Sequence, residues 1–249
     1  MGTVTTEGGS VAVGGAASGG EPGIGIPAIN PADYRPLANY VFKETVAPPS
    51  AKIYAADGVT LVFDATGGGK WPDISSGWHY NGTPGSGAWQ YSGNGTPAEV
   101  QGKTFYFEKA PGTNPGESGN VKIHGSPGSD ATNWQTTILA EGHIDVSGNP
   151  TMRANSQNIL LVAGTDISNS GNTTSTWAGG GIVAAHEQID IVGNTELVGM
   201  VVAENAASAD SFVTATSVGG NASITYNGAP APPANWRLPI VLYSWRELP

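Results

Sequence analysis

The chain has 249 residues, with 37 Gly, 18 Pro, no Cys, 12% charged residues and a formal net charge of −10. The lack of cysteine excludes a disulfide framework and thiolate metal sites. Ten scattered Lys and Arg exclude the clustered basic surface that a nucleic-acid partner requires. A chain this rich in Gly and poor in charge reads as all-β with many turns, and it is long enough to bury a sizeable core. No run of about 18 apolar residues occurs, so no membrane-spanning helix is predicted.

Residues 1–29 read as a flexible Gly-rich leader, as if an export or anchor segment had been removed ahead of it. The next stretch, "NPADYRPLANYVFKETV", places Tyr34, Leu37, Ala38 and Val41 at helical spacing. With Asn30 and Pro31 as an N-cap and N1 pair, a short capping helix is predicted within 30–46. Residues 50–110 are strand-like and aromatic. "KIYAADGVTLVFDA" predicts two strands about a turn at Asp57 and Gly58. "GWHYNGTP" (77–84) and "AWQYSGNGTP" (88–97) are near copies, each with a Trp-x-Tyr step, and "KTFYFEK" (103–109) is a further strand.

Residues 118–228 carry a repeat. The phrases "VKIHG", "IDVSG", "ISNSG", "IDIVG" and "ITYNG" end at Gly125, Gly148, Gly171, Gly193 and Gly228, at spacings of 23, 23, 22 and 35. A steady period of short strands predicts a right-handed parallel β-helix, a solenoid with 22–23-residue rungs and an aromatic strand and loop insertion over 50–110. Its handedness follows the bias of parallel crossovers. In each phrase alternate residues point inward, as Ile144 and Val146 do, while Asp145 and Ser147 point outward. Asn149, Asn172 and Asn194 follow in register, with Asn221 joining from a shifted position, as an Asn ladder would. The long gap reads as a loop near 203–214. The tail 229–249, with Trp236 and Trp245, is predicted to pack on the coil, so 30–249 forms one domain.

"TILAEGHIDVSGNPTM", "ILLVAGTDISNSGN", "GGGIVAAHEQIDIVGNTELVGMVVAEN", "IPAINPADYRPLANYV" and the ending "VLYSWREL" together resemble the extracellular part of PilX-like type IV pilus-associated proteins. The resemblance implies a right-handed β-helix behind an N-terminal anchor helix, and a minor-pilin or pilus-assembly role without catalysis. The anchor helix of that family is missing from this chain.

Three groups of side chains could carry chemistry. The repeat period gathers Glu141, His143, Asp145, Asp166, His186, Glu187 and Asp190 on one outward face. If the chain is an enzyme, His143, Asp145, Asp166 and Asp190 are its acid and base candidates, as on a glycan-cleaving β-sheet. A divalent cation is the one cofactor the pattern leaves open, with Glu141, His143, Asp166 and His186 as ligands. Trp71, Trp78, His79, Tyr80, Trp89 and Tyr91 form an aromatic group that could stack on sugar rings or pack as core. The Walker spacing and the G-x-S-x-G elbow are both missing. The favoured expectation is a non-enzymatic extracellular or cell-surface protein with pilus or surface proteins as partners. The alternative is a carbohydrate-active enzyme or sugar-binding module.

Overall fold

The computed structural model describes residues 29–129, 131–155, 158–171, 181–207 and 212–225. The leader up to residue 28, the tail 229–249 with Trp236 and Trp245, Asn172 and Gly228 lie outside these residues.

Asn30 caps a 3₁₀ helix, Pro31–Leu37, its side chain accepting the Ala32 amide at 3.1 Å. The capping helix predicted within 30–46 ends there. Pro36 supplies no amide for a longer helix, and β1 (Tyr40–Val46) takes up the rest of the stretch.

Two large sheets follow. The first contains β1, β2 (Pro49–Ala55), β3 (Leu61–Asp64), β7 (Lys103–Glu108), β9 (Trp134–Ala140), β11 (Met152–Ala154), β12 (Ile159–Ala163), β14 (Ile182–Ala185) and β17 (Met200–Ala203). The second contains β4 (Trp71–Pro72), β5 (Gly77–Asn81), β6 (Ala88–Gly93), β8 (Val121–Gly125), β10 (Ile144–Val146), β13 (Ile167–Asn169), β15 (Ile189–Ile191) and β18 (Ser217–Val218). A separate parallel pair joins β16 (Glu196–Val198) to β19 (Ser223–Thr225).

This arrangement corrects the predicted right-handed parallel β-helix. Both large sheets are mixed and open, with β3 and β17 at the edges of one and β4 and β18 at the edges of the other. β1, β2 and β3 run antiparallel, as do β4, β5 and β6. The cause is local. Residues 47–48, 56–60, 73–76 and 82–87 are the only chain between these strands, and a parallel neighbour needs a crossover of about a dozen residues or more. Parallel pairing begins where β1 meets β7 and β6 meets β8, after which the chain passes between the sheets. The aromatic stretch is no insertion, because its strands form one end of both sheets.

Within the parallel part the repeated phrases lie side by side. Ile144 sits opposite Val121 and Ile167, and Ile167 opposite Ile189. Ile144 and Val146 are fully buried while Asp145 between them is partly exposed. The phrase-ending glycines meet in a column whose backbones touch. A methyl on Gly148 would overlap the carbonyl oxygen of Gly125, and one on Gly125 that of Gly93. The column continues through Gly171 and Gly193 to Gly220, in place of the predicted Gly228. Asn221 follows Gly220 as Asn194 follows Gly193, and its amide donates to the Asn194 oxygen at 2.9 Å.

The main core lies between the two sheets. It is aromatic at the antiparallel end, with Phe42, Trp78, Trp89, Tyr91, Phe105, Phe107 and Trp134, and aliphatic along the repeat. Phe42 and Trp89 meet edge to face at 4.9 Å, the geometry that ring quadrupoles favour. The first sheet also buries its other face, where Val41, Tyr106, Leu139, Val162 and Ala184 join Ile29 and Ala38. Strands buried on both sides read as continuous apolar runs, which explains "ILLVA" in β12.

Two predictions follow from this framework. Gly148→Ala, which forces a methyl into a carbonyl, lowers unfolding free energy in urea by about 3 kcal/mol, while Ser147→Ala stays within about 0.5 kcal/mol. At the turn before β3, the hydroxyl and amide of Thr60 and the amide of Val59 all donate to Asp57 and hold its carboxyl at about 2. Because that value lies below the unfolded one of about 3.9, the stabilisation is full above the unfolded value and is lost as pH falls through the folded one. A carboxyl-detected NMR titration should place the Asp57 midpoint near 2, and Thr60→Val should move it upward.

Candidate functional site

The predicted acidic face separates into three environments. The first is a row on the outer face of the second sheet, where Lys122, Asp145, Ser168, Asp190 and Ser217 are successive neighbours. Asp145 and Asp190 are two strands apart, about 9.6 Å at strand spacing. Each is already engaged: Lys122 pairs with Asp145 at 2.9 Å, and the Ser217 hydroxyl donates to Asp190.

The second is the row just before these strands, with Asn120, His143, Asp166 and Gln188. Expected on a wet face, it is largely internal, Asp166 being fully buried and Gln188 7% exposed. Here side chains cap the open amides of the next strand. Asn120 accepts the His143 amide at 3.0 Å, and Asp166 accepts those of Gln188 at 2.9 Å and Val213 at 3.2 Å. Phe212 stacks on the His143 ring, centroids 3.8 Å apart. The end of the predicted loop thus folds back over this row. Asp166 serves as backbone scaffolding, and a substrate proton has no path to it. His143, Asp145, Asp166 and Asp190 therefore do not converge on a common point of attack.

The aromatic group is mostly core. Trp78, Trp89 and Tyr91 are fully buried, which corrects their reading as a sugar platform. β5 and β6 set Trp78 opposite Tyr91 and Tyr80 opposite Trp89, so the hairpin turns one aromatic face inward against Phe42, Phe105 and Trp134. Trp71 packs edge-on to Tyr40 at 4.7 Å. Tyr80 donates its hydroxyl to Glu44 at 2.5 Å, and burial together with that carboxylate raises its pKa strongly. His79 lies on the outer face beside Gln90, its pKa lowered by partial burial and by Lys70.

The third environment does bring two predicted residues together. Glu141, Gly164 and His186 follow β9, β12 and β14, each amide bonded to the strand before: Glu141 to Phe107, Gly164 to Ala140, His186 to Ala163. They line an open cleft of about 380 Å³. The Tyr106 hydroxyl and the Lys109 amide both donate to the Glu141 carboxylate. Tyr106 is pushed well up by burial and by this bond. His186 pairs through Nδ1 with Glu204, which also accepts the Ile29 amide. Of the predicted cation ligands, only Glu141 and His186 line the cleft; His143 stacks under Phe212 and Asp166 caps amides. Among the described residues no group of three or more His, Asp and Glu is placed to hold a metal ion.

Sequence reasoning missed Tyr106, Glu204 and Glu44. Glu44 had a usable signal, since it falls in phase with Tyr40 and Phe42, two inward residues of β1. Glu204 had none, because its partner His186 lies one strand away.

Compared with models of protein families, with curated proteins and with solved structures, the chain matches none of them.

The packing role of the aromatic group is testable. Trp78→Ala and Trp89→Ala each lower stability by about 4 kcal/mol in chemical denaturation, whereas Trp71→Ala, half-exposed against Tyr40, costs about 1 kcal/mol.

Proposed function

We propose that the chain is a structural and adhesive protein of a bacterial surface, associated with a pilus and working through contacts with other pilus or surface proteins. The observation that carries this reading is how the chemistry-bearing side chains are used. Asp145 is paired with Lys122, Asp166 with two backbone amides and Asp190 with Ser217. Each of these three carboxylates is bonded within the fold, as a scaffold requires, and a general acid or base would need a free approach to substrate. The similarity of "GGGIVAAHEQIDIVGNTELVG" and its companion phrases to PilX-like pilus-associated proteins supports the pilus association. A Cys-free, acidic, Gly-rich chain is in keeping with an extracellular location.

Fractionation tests it. Antibody raised against this chain should label the sheared-pilus or outer-surface fraction of the bacterium that carries it, and label confined to the cytoplasm would sink the proposal. The same protein should show no turnover on a panel of polysaccharides. Turnover that disappears in the Asp145→Ala, Asp190→Ala double variant would restore the enzyme reading.

A further inference from the structure

The cleft beyond the ends of β9, β12 and β14 has a composition that neither a scaffold nor a pilus contact requires. Its walls combine Ile29, Pro31 and Pro115 with the side chains of Lys109, Glu141 and His186. At about 380 Å³ it falls within the range of small-molecule sites, about 300–1,000 Å³. Gly164, between Glu141 and His186 in the row, brings no side chain to fill the space.

The polar groups are held in place from behind. Glu141 is fixed by Tyr106 and the Lys109 amide, which still leaves lone pairs on a carboxylate that can accept about four hydrogen bonds. With Nδ1 engaged by Glu204, His186 keeps its other ring nitrogen for a further bond. Glu204 is itself anchored by the Ile29 amide. Side chains locked this way lose little freedom when a ligand arrives.

Charge then selects the ligand class. The cleft lining carries one carboxylate, Glu141, and one ammonium group, that of Lys109, whose Nζ donates to the Thr113 carbonyl at 3.4 Å, so the lining as a whole favours neither an anion nor a cation. Glu141 and His186 follow strands two apart, about 9.6 Å at strand spacing, with only Gly164 between them. That gap suits hydroxyl groups on opposite edges of one sugar ring, and the proline and isoleucine walls suit its C–H face. We infer that this cleft binds a neutral saccharide. The inference goes beyond the surface-protein reading, because the cleft would take its ligand wherever the protein is displayed.

The test applies the purified chain to an array of neutral hexose and N-acetylhexosamine oligosaccharides, with bacterial and animal structures printed as separate sets. Sialylated and uronate-bearing glycans serve as charged controls. A neutral oligosaccharide that binds is then titrated by NMR. The expected result is movement of the Lys109, Glu141, Gly164 and His186 amides, with affinity falling at least about tenfold in Lys109→Met and in Pro115→Trp. Pro115 is exposed in a loop, so Pro115→Trp blocks the cleft without entering the core, and melting curves confirm that both variants are folded. Which printed set binds separates a bacterial glycan from an animal one. Failure of every neutral glycan to bind, binding of charged glycans alone, or neutral binding that ignores both variants overturns the inference. Surface fractionation is read separately, so either proposal can fall without the other.

Discussion

A single buried carboxylate joins the two sheets at their aromatic end. Glu44 lies on the inward face of β1, 1% exposed, and accepts the Tyr80 hydroxyl from the hairpin and the amides of Gly85 and Gly119 at 2.7 Å. None of these donors carries a charge. A buried carboxylate without such partners is very costly, so its presence fixes the positions of all three segments together. The β5–β6 hairpin, which brings in Trp78 and Trp89, and the approach to β8, where the parallel pairing of the second sheet starts, are both set by this group. The aromatic core can close only with the hairpin in that position.

The design that follows is economical in polar chemistry. Backbone groups at strand ends, which would be orphaned where the chain leaves a sheet, are taken up by side chains in fixed rows: Asn120 and Asp166 on the second sheet and Glu141 on the first, while Glu204 takes the Ile29 amide ahead of the 3₁₀ helix. Such residues look functional in a sequence because they are acidic, periodic and adjacent. Most of them are solutions to hydrogen-bond accounting. The cleft by Glu141 and His186 differs because its polar groups are both braced and left with bonding capacity to spare.

What the sequence disclosed, and what it hid, divides along physical lines. The repeat spacing correctly sets Ile144 beside Ile167 and Ile167 beside Ile189, since a stacked phrase must return with its inward residues in phase. Residues 40–93 lack the 22–23-residue period, and there the short connections, which dictate antiparallel pairing, count for more than period. The period therefore describes only part of the chain, and the molecule is two open mixed sheets rather than a parallel coil. The Trp-x-Tyr copies were recognisable as a hairpin, yet alternation states only that Trp78 and Tyr80 share a face. Which face is inward depends on Phe42 and Phe105, distant in sequence. For the same reason Asp166 could not be placed: its burial under Val213 comes from a loop that returns across the sheet, and no local pattern announces that return.

The glycine column has a consequence for how such a chain can diversify. Gly125, Gly148, Gly193 and Gly220 are each imposed by the backbone of a neighbour in the stack, so none is a free choice. One residue inserted between Gly125 and Gly148 would lift a side chain into the column and turn the following inward residues outward. A whole phrase added or removed would leave every contact type intact. Extra length is also tolerated between β17 and β18, where the step from Gly193 to Gly220 is longer than the 22–23 residues of the earlier phrases. The molecule is therefore written in words, with the phrase as its smallest heritable unit of growth and the connections between strands as the place where lineages can differ.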